Sequence, residues 1–134
     1  MGPLDLLLHL LNFVAPAVFT GAGIRFGSTL NSSGANRNVT VTDSGQTRFD
    51  GAVGGVLALA TLTVNGGGTT HIAAGVTTSG DQTWSNALTF AADSTLTATA
   101  GQIALGAAAD AGAAGVDLTF NALNGVNVTA AMGG

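Results

Sequence analysis

Few residues in this sequence have the types and spacing that catalysis or metal binding requires. The histidines are His9 and His71. Both sit among apolar neighbours, and no spacing gathers two further donors beside either, whereas a zinc site needs at least three convergent protein ligands. His71, in TTHIAAG, reads as an outward residue next to a buried Ile72. Serine and aspartate are plentiful, but no GxSxG turn presents a nucleophile and nothing ties His71 to one. Every acid is an Asp, and Asp43, Asp50, Asp81, Asp93 and Asp110 fall at inferred corners, where the side chain caps turns. The glycine runs match neither GxGxxG nor a lysine-bearing phosphate loop, and the chain has no Lys. The GGxGxD of calcium-binding solenoids is missing too. With no cysteine, thiolate chemistry and disulfides are excluded. The expectation is a protein that is not an enzyme, with no metal and no cofactor.

Two surface chemistries remain. Asn31, Asn38 and Asn127 each open an Asn-X-Ser/Thr glycan acceptor triplet. Thr40, Thr42, Thr61, Thr63, Thr95, Thr97 and Thr99 alternate with apolar residues, so they should form flat neutral ladders on the outside of a sheet. Such a plane would suit a carbohydrate or protein ligand. The formal charge of −4, with Arg25, Arg37 and Arg48 as the sole strong bases, argues against nucleic acid, whose phosphates need clustered cations.

The elements that carry these residues are short strands. From Val39 to Leu105, runs rich in Thr, Val, Leu and Phe alternate with Gly, Asn, Asp and Ser turns. The larger apolar residues take every second position, as in strands with one buried face. One phrase returns without a gap: VTVTDSGQTRF (39–49) lies over LTVNGGGTTHI (62–72), with Val39 on Leu62, Val41 on Val64, Gly45 on Gly68 and Phe49 on Ile72. A repeat of strand, glycine turn and strand at this period marks a solenoid. A second echo lays Ile24–Val41 on Ile103–Phe120. The predicted fold is all-β, a single-stranded right-handed parallel β-helix with coils of about 20–23 residues. Its core is expected from Ile24, Phe26, Val39, Val41, Phe49, Leu62, Val64, Ile72, Trp84, Leu88, Phe90, Leu96, Ile103, Leu105, Leu118 and Phe120.

Residues 1–20 read as different material from the solenoid at 21–134. Pro3 and Asp5 suit the first turn of a helix, and Pro16 suits its end. Leu4, Leu7, Leu8, Leu11 and Val14 would share one face, widened by Leu6, Leu10 and Phe13. The stretch is too short to span a bilayer. A short apolar helix must be buried, so Leu4, Leu7, Leu8, Leu11, Phe13 and Val14 are expected to cap the solenoid or connect it to another copy.

The phrases SGQTRFDGAVGG, VTTSGDQTWSNALTFAADSTLTA and GQIALG resemble repeats of large secreted bacterial adhesins of the filamentous-haemagglutinin and autotransporter type, over roughly Gly23 to Phe120. The resemblance implies secretion, a right-handed β-helix and a role at the cell surface. Family members are far longer, and the domain that usually opens them is replaced here by the apolar segment. The expectation is therefore an extracellular subunit that builds length as a homo-oligomer or homopolymer, with an adhesin module as the alternative.

Overall fold

The computed structural model describes Leu4–Leu6 and residues 11–133. The chain winds through three strands per coil. The first coil holds β1 (Leu4–Leu6), β2 (Leu11–Phe13) and β3 (Ala17–Gly21), and the second β4 (Ile24–Phe26), β5 (Leu30–Ser32) and β6 (Asn38–Asp43). The third holds β7 (Gln46–Phe49) and β8 (Thr61–Asn65), with Val53 bridging Leu30 and Val76, and Leu59 bridging Thr78, in place of a middle strand. Then come β9 (Thr69–Ile72), β10 (Val76–Thr78) and β11 (Gln82–Trp84), followed by β12 (Ala87–Phe90), β13 (Ser94–Ala98) and β14 (Ile103–Leu105). The last coil is β15 (Ala109–Ala111), β16 (Leu118–Ala122) and β17 (Val126–Val128).

Stacking these coils makes three parallel sheets. Face A runs β1-β4-β7-β9-β12-β15, and face C runs β3-β6-β8-β11-β14-β17. Face B joins β2-β5 to β10-β13-β16 through Val53. The chain is a parallel β-solenoid, and the gapless repeat is its register: Val39 pairs with Leu62, Val41 with Val64, Thr47 with Thr70 and Phe49 with Ile72.

Alternation sends every second side chain inward. Ile24, Phe26, Val39, Val41, Phe49, Leu62, Val64, Ile72, Trp84, Leu88, Phe90, Leu96, Ile103 and Leu105 are all buried. Leu30, Val53, Leu59, Val76, Ala98 and Ala109 join them on faces A and B. An aromatic spine climbs through the interior. Phe13, Phe19, Phe26, Phe49 and Trp84 touch in succession, and Phe26 lies flat on Phe49 at 5.1 Å between centroids. Leu118 and Phe120 are only partly buried, because no further coil covers β16 among the described residues.

One expectation is corrected, and the second echo finds its place in the stack. The predicted N-terminal helix is strand wherever the segment is described: β1 pairs with β4, β2 with β5 and β3 with β6. Local helix propensity yields to the sheet edges that the next coil offers, so where it is described this segment forms a first coil. The second echo is not a return to the same face. Ile24 and Phe26 lie on face A, whereas Ile103 and Leu105 lie on face C. Each face repeats the same plan of short strand and corner, so similarity can arise one face out of step.

The corner between faces C and A needs glycine. A Cβ on Gly45 would come within 2.7 Å of the Gly23 nitrogen, and one on Gly68 would collide with the Gly45 carbonyl. Corners stacked at the strand spacing leave no room for a side chain on the outer bend.

Candidate functional site

The one buried charge among the described residues lies at this corner. Asp43 is fully buried, and its carboxylate accepts four hydrogen bonds. The Gly23 and Gly45 amides donate to Oδ1, each at 2.7 Å. The Ile24 amide (2.9 Å) and the Thr47 hydroxyl (2.7 Å) donate to Oδ2. Burial alone would push this carboxyl's pKa up, but the bonds from Gly23, Thr47, Gly45 and Ile24 outweigh it and hold the pKa below its ordinary value. Asn86 closes the same corner higher in the stack. Its amide nitrogen donates to the Asn65 carbonyl (3.1 Å) and the Asp43 carbonyl (3.3 Å), and its oxygen accepts from the Gly67 amide (3.0 Å). With every carboxylate oxygen engaged by the fold, Asp43 is a bracket between coils and offers no open face for chemistry.

Three other acids also join coils, whereas Asp110, expected at a corner, lies within β15 opposite Thr89. Asp81 accepts from the Gln102 amide at 3.0 Å, and Asp93 from the Asp117 amide at 2.9 Å. Asp50 lies between Arg25 (2.7 Å) and Arg48 (3.6 Å). His71 stands in an outward row on face A, between Arg48 and Thr89. His9 lies outside the described residues. Among the described residues, no cluster of three His, Cys, Asp or Glu could hold a metal.

The threonines form partial ladders. Thr40 pairs with Thr63 and Thr63 with Thr83, and Val18, Ala104 and Asn127 complete that outward row on face C. Thr42 pairs with Asn65 and Thr97 with Asn121, so amides interrupt the hydroxyls. Of the glycan triplets, Asn31 is buried and its oxygen accepts from the Val56 amide, while Asn38 and Asn127 are exposed. A shallow groove on face B is lined by Thr97, Thr99, Phe120, Asn121 and Leu123.

The residues expected to cap or connect are described only in part. Leu4 and Leu11 lie in β1 and β2, opposite Ile24 and Leu30. Leu7 and Leu8 fall outside the described residues. Phe13 is 8% exposed and packs on Phe19, whereas Val14 is 71% exposed at a corner. Exposed apolar residues gather at the last coil. Among the described residues, no strand pairs with the outer edges of β16 and β17. Val116, Leu118, Phe120 and Ala122 are half-covered there, and Leu123 is 74% exposed. Val126 and Val128 are 40% and 38% exposed, while Ile103 and Leu105, one coil below in the same columns, are at most 1%. The sequence signal for this end was the alternation in LTFNALNGVNV, which marks strands but not whether another coil lies above them.

No protein-family model, curated protein or solved structure matches the chain. No helix among the described residues is long and apolar enough to cross a membrane.

Proposed function

We propose that the chain is a structural subunit of an extracellular fibre or surface appendage, assembling head to tail through its coil ends. The observation that carries this reading is the open end at β16 and β17, where unpaired strand edges and exposed apolar side chains coincide. A solenoid is right-handed in this reading, the hand that parallel crossovers adopt in nearly all sheets. No catalytic step is assigned. Extracellular placement rests on the resemblance to secreted adhesins.

Magnitudes suggest how such an end works. Covering Leu123, Val126 and Val128 contributes on the order of 1 kcal/mol each, given that two of them are already more than half covered. Association costs roughly 4–15 kcal/mol in lost freedom. Apolar contact alone therefore falls short, and main-chain pairing along two strand edges has to supply the difference, at about 0.5–1.5 kcal/mol per bond. The result is a joint that forms at high local concentration and is lost when the edge is blocked.

The test is light scattering and negative-stain imaging of the intact chain beside Val126→Lys/Val128→Lys. Concentration-dependent fibres from the first and discrete particles from the second are expected. Intact protein that stays monomeric at every concentration sinks the reading. A second reading, an adhesin module, is favoured by the face B groove, where hydroxyl, amide and apolar groups suit a carbohydrate or protein ligand. A glycan-array signal lost in Asn121→Ala, with no fibres, would select it.

A further inference from the structure

Resting on head-to-tail assembly, we infer that the partner at the open end is the first coil of a second copy of this chain, with its β3 pairing in parallel on β17 and Val18 of the copy directly opposite Asn127. Two observations converge on this register.

First, β17 and β3 are the two edge strands of the same face C sheet, and every pairing within that sheet is parallel. Setting β3 of a copy on β17 extends the sheet with unchanged direction and twist. Second, the inward columns continue. One column climbs from Ala17 through Val39, Leu62, Gln82 and Ile103 to Val126, and the next from Phe19 through Val41, Val64, Trp84 and Leu105 to Val128. In the inferred register Ala17 of the copy covers Val126 and Phe19 covers Val128, which closes the residues that stand open. A contact between unlike ends does not close on itself and therefore propagates.

On face A the place above β15 is already taken, because Met132 bridges Ala109, and the Ala109 amide donates to the Ala131 carbonyl at 3.2 Å. The copy's strands thus add on faces B and C, with β2 on β16 and β3 on β17. On face A, β1 of the copy and residues 131–133 of the first chain claim one place, and one of them has to leave it.

The chain has no cysteine, so disulfide trapping reads the register cleanly. Directly paired strands lie about 4.8 Å apart, within the roughly 4.4–6.8 Å between Cα atoms that a disulfide accepts. Within one chain Val18 and Asn127 are five strand spacings apart, about 24 Å, so Val18→Cys/Asn127→Cys links only between copies. Both positions face outward, and circular dichroism checks that the variant folds. Under mild oxidation the double variant should give a ladder of covalent multimers, and Val18→Cys/Ala104→Cys should not, since Ala104 is one strand further away. Single variants mixed together should give dimers alone. Fibres that form without the ladder, or equal ladders from both double variants, overturn the register and leave self-assembly standing. Absence of any multimer by light scattering and on gels removes both.

Discussion

Replacing Asp43 by Asn keeps the shape of the side chain and removes its charge. In the folded chain the carboxylate meets four donors and no solvent. An amide can still accept from the Gly23 and Gly45 amides through its oxygen. Its NH2 group would then face the Ile24 amide, donor against donor, while the Thr47 hydroxyl can turn to accept. One buried N–H is left without a partner, at about 1–3 kcal/mol, and the remaining bonds lose the extra strength of a charged acceptor. The expected cost is about 2–4 kcal/mol at pH 7, read by urea unfolding and by faster hydrogen exchange at the Gly23, Ile24 and Gly45 amides. The pH dependence has a definite sign. A carboxyl whose folded pKa is depressed contributes stability that is fully present above its unfolded pKa of about 3.9 and is lost as pH falls through the folded value. The gap between the native chain and Asp43→Asn should therefore be largest near neutrality and shrink below pH 4. A cost under about 0.5 kcal/mol at pH 7, or a gap that does not narrow in acid, would refute the bracket.

Three further substitutions test the interior. The Thr70 hydroxyl is buried without a partner, so Thr70→Val should raise stability by about 1 kcal/mol in urea unfolding, where a neutral or adverse result would mean that the hydroxyl is satisfied. Gly68→Ala places a methyl against the Gly45 carbonyl and should cost more than about 2 kcal/mol, well beyond the effect of Gly115→Ala, whose Cβ meets nothing within 4 Å and whose positive φ is its only strain. Trp84 is buried at the top of the aromatic spine, and its indole N–H donates to Gln82 at 3.2 Å. Trp84→Phe should lower stability by about 1–3 kcal/mol through lost volume and an orphaned Gln82 oxygen, measured by thermal unfolding with circular dichroism.

The repeat was legible because its corners are fixed in length: Gly45 and Gly68 hold the same place in two successive coils, so the strands on either side fall into register without gaps. The first coil was not legible. Between Leu4 and Phe13 the sequence offers no glycine or turn pair to break it into strands, and a short leucine-rich run suits strand and helix alike. Leu118 and Phe120 alternate like core residues, and periodicity shows which way a side chain points but not what lies over it. Asp43 looked like its fellow acids at other corners. Its difference comes from packing, which turns the carboxylate inward onto amides 19 and 20 residues away.

The resemblance between residues 24–41 and 103–120 bears on how such a chain can lengthen. These segments sit on different faces, yet each supplies inward apolar positions at the same intervals. The strands therefore differ little from side to side, and the C–A corner, with Gly45, Gly68, Asp43 and Asn86, is what keeps count of the faces. A duplicated stretch of one strand and one bend would turn everything beyond it by a third of a turn, so it would be tolerated above or below that stacked corner and not within it. The outer decoration would then be dealt out afresh, moving threonine rows to a new side of the shaft.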